Sequence, residues 1–503
     1  MSNLFSNFQE NFPDDLDSQF LVTSKGRQVS YLELNDASAR IANCLLESGA
    51  SPGDRVTVQV EKSVESIFLY LACLRSGLVY HPLNTAYKSS ELSFFIENAE
   101  PTIVVCSTEA IDTYKSIFSK EGIKALMTLD SDGSGTLMQE AARFSSNCET
   151  KQCKGSETAA LLYSSGTTGQ PKGIVLSHDN LLKNGETLVN TWGFSSSDRL
   201  LHMLPIYHVH GLFVGLNTIF LSGASMIWCE GFNADQAIEH LPDCTVMMGV
   251  PTYYTRLLSN SKLMKECCSN MRLFISGSAP LLKETFDNFQ DKTGHTILER
   301  YGMTETGMNT SNPLNGERRA GTVGLPLSGV TVRIVDESGE GMANYETGDI
   351  QIKGPNVFSG YWRMPDKSAE DFTDDGFFNT GDKGTIDSDG YVSIVGREKD
   401  MIITGGLNVY PKEIELIIDE IYGVKESAVV GVADSDFGEA VIAVIVSDGS
   451  TLNEEKITSI CKAQLANFKV PKRICFIEDL PRNAMGKIQK NLLRERFKTE
   501  LDY

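Results

Sequence analysis

The chain has 503 residues, 41% of them hydrophobic, which is enough for large cores and more than one core usually organises, so two or more domains are expected. Its formal net charge is -21. A nucleic acid or an anionic membrane would need a basic face, so both are excluded as partners, and an anionic substrate must meet local cations. No apolar run reaches membrane-spanning length; the greasiest stretch, near residues 67–79, is cut by Arg75. Glu10, Asp14, Asp15 and Asp17 near the N-terminus fit neither a secretory signal nor an Arg-rich transit segment, so a cytoplasmic protein is expected. The eleven cysteines are scattered without a Cys-x-x-Cys pair. Cys267-Cys268 is too tight for an ordinary disulfide or zinc site, and free buried thiols are expected.

In chain order, residues 31–47 read as a helix, 56–60 as a strand, 64–74 as a helix and 102–106 as a strand. Residues 158–163 form a short buried strand. A helix starting at His178 behind the N-cap Ser177 carries Leu181, Leu182 and Leu188. Apolar strands follow at 225–228, 245–248 and 273–276. This alternation predicts α/β layers. From about Gly321 the texture changes to short strands and turns, at 331–335, 349–353 and 391–395, as in a small barrel or β-rich lobe. Beyond Arg397 a compact unit has a helix at 411–421, strands at 427–432 and 440–446, and a helix at 454–465. The polar run 396–400 reads as a hinge, giving domains 1–397 and 398–503.

The most informative stretch is Tyr163-Ser-Ser-Gly-Thr-Thr-Gly-Gln-Pro-Lys-Gly173, which puts hydroxyls, three glycines and a lysine after an apolar strand. Gly166, Gly169 and Gly173 let the backbone turn N–H groups toward an anion, and Thr167, Thr168 and Lys172 add hydroxyls and charge. It is not the P-loop of phosphate-hydrolysing NTPases, because Pro171 and Gly173 stand where that loop needs Gly and Ser or Thr.

Further stretches carry chemistry. Tyr301-Gly-Met-Thr-Glu305 offers an aromatic for stacking a base and a carboxylate for magnesium. Thr380-Gly-Asp382 and Gly396-Arg397 place an acid and a cation at loop ends, the types that grip ribose hydroxyls and phosphate. Taken alone, Asp382 is as well read as a turn residue and Arg397 as a solvated charge. Pro481-Arg-Asn-Ala-Met-Gly-Lys487 sets a lysine in a Gly-preceded loop, a place where most lysines are merely exposed.

Together, in this order and spacing, these motifs resemble those of the superfamily of acyl-CoA synthetases, adenylation domains and luciferases, over residues 31–494. The resemblance implies a large N-terminal α/β domain with a β-rich lobe and a small mobile α+β C-terminal domain. It implies that Ser165 to Gly173 hold the ATP phosphates, with Thr167 and Lys172 taking part in catalysis, that Tyr301 stacks adenine, and that Glu305 binds Mg²⁺. Gly277, Ser278, Gly302 and Thr304 join the nucleotide-binding set. Asp382 and Arg397 correspond to the ribose pair, Lys399 to the hinge, and Lys487 to the lysine that bridges acyl carboxylate and α-phosphate. Gly405-Gly406 corresponds to the turn that approaches the pantetheine arm of CoA. The implied substrates are ATP and CoA; a protein acetyltransferase and deacetylase acting on Lys487 are considered as further partners.

Within the superfamily, Leu204-Pro-Ile-Tyr-His-Val-His-Gly-Leu-Phe213, Gly249-Val-Pro-Thr-Tyr-Tyr-Thr-Arg256, Arg272-Leu-Phe-Ile-Ser-Gly-Ser-Ala-Pro280 and Glu299-Arg-Tyr-Gly-Met-Thr-Glu-Thr-Gly-Met-Asn-Thr310 resemble malonyl-CoA synthetases. Many relatives have a small residue where Arg300 stands, and a cation there suits the second carboxylate of a dicarboxylate. Arg256 is expected in a wall of the acyl pocket, or paired with an internal acid. His208 and His210 are expected at its mouth as donors, or His208 as a gate. Other short acids, methylmalonate among them, are alternative substrates. Loading of a carrier protein is the reading from another class, and with sixteen residues after Lys487 it would need a separate carrier.

Overall fold

The computed structural model describes residues 3–117, 122–164, 171–404, 407–434, 438–449, 452–465, 467–483 and 486–498. Two sheets dominate the large N-terminal part. The first runs Ala125–Thr128, Ile103–Cys106, Arg55–Gln59, Val79–Pro82, Thr158–Ser164, Lys172–Ser177, all parallel except the last pair. The second has nine strands in the order Leu325–Pro326, Gly307–Ser311, Ile297–Met303, Leu273–Ser276, Val246–Gly249, Arg199–His202, Ser225–Trp228, Gln19–Thr23, Gln28–Ser30. From Ile297–Met303 through Gln19–Thr23 its strands are parallel.

The helix Val64–Ser76 explains why the greasiest stretch does not cross a membrane. All of its residues are buried, in a core that takes side chains from both sheets. A helix apolar all round belongs in such a place. Arg75 is accommodated because Nη1 donates to the Asn35 carbonyl at 2.8 Å and Ser38 Oγ at 3.0 Å, and Nη2 to the Cys148 carbonyl at 3.2 Å. No described helix is long and apolar enough to span a membrane, and all eleven cysteines are free.

The β-rich lobe is a four-stranded antiparallel sheet of Thr331–Val335, Gly348–Lys353, Phe378–Ile386 and Val392–Arg397. Beyond it, five strands form the last sheet, in which Gly438–Ser447 lies between Val424–Asp434 and Arg473–Phe476. Period-2 alternation sends Val429, Val441, Ala443 and Ile445 to one face, under Ile414, Ile418, Ile457 and Cys461 of two helices. Ala428, Val430, Ile442 and Val444 go to the other, under Leu493 and Phe497. The architecture is therefore a large α/β domain with a β-rich lobe and a smaller α+β domain.

One element departs from expectation. The glycine-rich segment does not pass from strand to helix; it joins two antiparallel strands, with Tyr163 opposite Gly173 and Ser164 opposite Lys172. The apolar run Ile174-Val175-Leu176 favours that strand. Gly173 is needed there because a Cβ would lie 2.9 Å from Trp362 Cβ.

Candidate active site

Parallel α/β sheets bind ligands beyond the carboxyl ends of their strands, where loops and free N–H groups converge. Here Arg199–His202 leads into the loop holding His208 and then into a π-helical turn, His210–Leu216. Leu273–Ser276 ends at Gly277-Ser278, and Ile297–Met303 carries Arg300 and Tyr301 toward Glu305. These ends bring together residues that are up to about a hundred positions apart in sequence.

Arg300 is 2% exposed, and neither Nε nor Nη2 has a hydrogen-bond partner. Burial pushes its pKa down to about 9. A Cβ on Gly277 would lie 2.4 Å from its Cζ, so only glycine leaves room for the guanidinium. His208 and His210 are held neutral. Burial, then the charges of Lys487 and Arg300, bring His208 to about 3, and burial followed by Arg300 depresses His210. His210 Nδ1 lies 3.4 Å from Ser278 Oγ, while its Nε2 is buried and unmatched. Ser278 has φ +71°, the left-handed backbone found at strained sites. An unmatched buried guanidinium is costly unless an anion joins it.

A second group adjoins the first. The Tyr301 hydroxyl donates to Asp382 Oδ2 at 2.5 Å, and Arg397 Nε pairs with Asp382 Oδ1 at 3.0 Å. The ladder enforces this, since Asp382 and Arg397 stand opposite each other. Asp382, first among its neighbours, raises the Arg397 pKa. Burial and then Arg397 lower that of Lys399. From the small domain, Lys487 enters the same field: burial, then Arg397, bring it down to about 8, Asp382 and Glu305 opposing and Arg300 assisting. Its loop is held by Arg482, which donates to the Gly486 carbonyl at 2.7 Å and pairs with Glu426. Glu305 is 7% exposed; burial raises its pKa, and Ser164 Oγ donates to it at 3.2 Å. The Lys172 ammonium lies 3.8 Å from Asp371 and 4.8 Å over the Tyr361 ring.

The structure thus gathers Arg300, His208, His210, Gly277 and Ser278, and beside them Tyr301, Asp382, Arg397, Glu305 and Lys487. Gly302 sits where a Cβ would meet the Gly307 carbonyl at 2.2 Å, and Thr304 lies half-buried in the following turn. Ser165, Gly166, Thr167, Thr168, Gly169, Gly405 and Gly406 lie outside the described residues. Arg256 is exposed, on helix Pro251–Leu258 whose buried stripe passes through Tyr254 and Leu257, and its charge acts on Tyr253 of the same helix. Sequence reading missed Ser164, Tyr361 and Asp371, which contact Glu305 or Lys172 from segments far away in sequence. It also missed the buried carboxyl of Glu299.

Glu299 is 5% exposed. It accepts the Leu281 N–H on Oε1 at 3.0 Å, and burial raises its pKa to about 8. A carboxyl raised this way keeps its proton in the native state while the unfolded chain releases it. Its stability contribution is therefore full below about 4.5 and is lost as pH rises toward 8. Glu299→Gln should abolish that loss and be more stable than wild type at the alkaline end, by roughly 1–3 kcal/mol. Thermal melts at several pH values check this; parallel curves for the two proteins would refute it.

A profile for the AMP-binding enzyme family matches residues 8–362, and one for the AMP-binding enzyme C-terminal domain matches residues 413–487. The chain belongs to the AMP-binding enzyme family. A malonate–CoA ligase of Arabidopsis thaliana is 32% identical over 531 residues, covering 95% of this chain and 86% of that protein. An oxalate–CoA ligase of the same plant is 32% identical, with coverages of 99% and 98%. The crystal structure of ATP-bound MatB from Rhodopseudomonas palustris is 52% identical, covers 99% of both chains and superposes with a TM-score of 0.96. The apo form of that protein, also 52% identical over 99% of both chains, gives 0.86.

Proposed function

We propose that this chain is an ATP-dependent malonate–CoA ligase that forms malonyl-CoA, AMP and pyrophosphate through a malonyl-adenylate. The observation that carries the substrate is Arg300, a buried guanidinium with two unmatched atoms at the carboxyl edge of the sheet. It fits the distal carboxylate of a short diacid, with neutral His208 and His210 beside it as donors.

In the first half-reaction an oxygen of the other carboxylate attacks the α-phosphorus of ATP. The bond to the pyrophosphate oxygen breaks, and pyrophosphate leaves. Lys487 sits to bridge the attacking carboxylate and the α-phosphate and spread the developing charge. Lys172 and the loop from Ser165 to Gly173, Thr167 included, restrain the leaving phosphates. Tyr301 stacks adenine, and the Asp382–Arg397 pair takes the ribose. Glu305 fits Mg²⁺: it is a hard oxygen donor, and among the described residues no three Asp, Glu, His or Cys form a metal cage. The phosphate oxygens of ATP would complete the shell, as at other nucleotide sites. Mg²⁺ there would neutralise phosphate charge. In the second half-reaction the CoA sulfur attacks the adenylate carbonyl, AMP leaves, and the thiol proton passes to solvent. With the domain boundary at 397/398, rotation about Lys399 would exchange Lys487 for the Gly405-Gly406 face.

Pyrophosphate exchange with a panel of oxalate, malonate, methylmalonate, acetate and propionate tests the reading. Malonate should lead in kcat/KM, and preference for a monocarboxylate would overturn it. The same assay has a pH signature. Lys487 must be charged to act and titrates at about 8 in the free protein, so kcat/KM should fall as pH rises through that value. In Lys487→Arg the descending limb should vanish from a lower plateau. A limb unchanged in that variant would mean that another group titrates.

A further inference from the structure

Lys62 lies in the short turn between strand Arg55–Gln59 of the six-stranded sheet and helix Val64–Ser76, and it is 7% exposed. A lysine this deep ordinarily has a carboxylate partner. Among the described residues no carboxylate pairs with this one. Its Nζ is 2.9 Å from His202 Nδ1 and 2.9 Å from the His202 carbonyl, and 4.0 Å over the Trp228 ring. Cys229 is the remaining neighbour of note, a buried thiol.

His202 is 1% exposed and ends strand Arg199–His202 of the other sheet. Its Nε2 is 2.9 Å from the Gly211 carbonyl. A carbonyl only accepts, so Nε2 carries the proton and Nδ1 must accept. Lys62 is the donor that meets it. The ring is also the surface on which the π-helical turn His210–Leu216 is packed. A Cβ on Gly215 would lie 2.9 Å from His202 Nε2, and one on Gly211 would lie 2.1 Å from the Pro205 carbonyl. Two glycines are thus spent to bring this turn against His202 and its own entry loop. The turn begins at His210, whose Nδ1 is near Ser278 Oγ, and the Leu212 N–H donates to the carbonyl of His208 at 3.0 Å. A π-turn inside a helix is a marked departure from the usual hydrogen-bond ladder, common at functional sites.

We propose that Lys62 is a positioning residue for substrate selection: by donating to His202 Nδ1 it fixes the tautomer that grips the Gly211 carbonyl, and so seats the π-helical turn that carries His210, and with it the preceding His208, beside Arg300. The inference rests on the reading of Arg300 as the partner of the distal carboxylate. Lys62 touches no substrate and acts only through His202. Its loss should therefore blur the diacid site while leaving nucleotide binding alone.

The test is pyrophosphate exchange with malonate and propionate on Lys62→Met, His202→Gln, the double variant and His202→Leu, with Arg300→Ala in parallel. Lys62→Met keeps the apolar stem. It should lower kcat/KM for malonate by about 10- to 100-fold, chiefly through KM, because small misplacements of a binding group carry penalties of that size. The KM for ATP and the kcat/KM for propionate should stay within about 3-fold. Glutamine places an N–H where Nε2 stood and has no ring tautomer to fix. His202→Gln should therefore retain malonate selectivity and remove the sensitivity to Lys62→Met, and His202→Leu should lose selectivity. Equal losses for both acids in Lys62→Met, no loss at all, or a double variant as poor as the single would overturn the proposal. Should Lys62→Met fail to fold, the histidine pair decides: equal behaviour of His202→Gln and His202→Leu overturns it. A selectivity change in Arg300→Ala with none in Lys62→Met sinks this inference alone, whereas no change in Arg300→Ala sinks the diacid reading beneath it.

Discussion

Lys487→Ala is expected to lose adenylate formation by about 10²- to 10³-fold or more, the range seen when one preorganised charge-stabilising donor is removed, while still transferring a supplied malonyl-adenylate to CoA. The expectation follows from where the charge is needed. Attack on the α-phosphorus builds negative charge between carboxylate and phosphate. Lys487 already stands in the field of Arg300, Asp382, Glu305 and Arg397, so its ammonium is in place before that charge develops. Attack of the CoA sulfur on the adenylate carbonyl makes no such demand if the small domain has turned away by then. Measuring pyrophosphate exchange and thioester formation from the adenylate separates the two steps. Equal loss of both would show that Lys487 holds the structure rather than the transition state. Acetylation of Lys487 removes the same charge and should give the same split phenotype.

Much of this was legible in the chain before its structure. The helix Tyr31–Glu47 and the strands Ser225–Trp228, Leu273–Ser276 and Thr331–Val335 fall where hydrophobic periodicity put them, because each is bounded by turn residues and carries one consistent period. The strand Lys172–Ser177 was not read. Its glycine and lysine look like loop chemistry, and only the pairing with Thr158–Ser164 makes Ile174-Val175-Leu176 a strand rather than the start of the next helix. The meeting of Arg300 with His208, His210 and Lys487 has no local signal beyond the family motifs, since these residues come from different strands and different domains. The network around Lys62 left no trace in sequence at all, because nothing about an isolated lysine announces that a histidine 140 residues away will be its partner.

The distal carboxylate of malonate is what distinguishes it from propionate, and a single residue should register that difference. Arg300→Ala is expected to lower kcat/KM for malonate by roughly 30-fold to several thousand-fold, the equivalent of about 2–5 kcal/mol for removing one partner of a desolvated, hydrogen-bonded charge pair. The direction follows from the guanidinium being buried with Nε and Nη2 unmatched. Malonate relieves that cost, whereas propionate leaves the cation in place with a methyl group against it. Propionate should therefore lose far less, and gain if removal of the cation outweighs the cavity left behind. Arg256→Ala, at an exposed position of helix Pro251–Leu258, should lower the malonate-to-propionate ratio as well if its side chain lines the same pocket, and leave it unchanged if it does not. The contrast matters more than either value, since a folding defect or a loss of ATP binding lowers both acids by the same factor. If both fall together in Arg300→Ala, the arginine supports the fold or the nucleotide, and the diacid site must be sought elsewhere on the same strand edge.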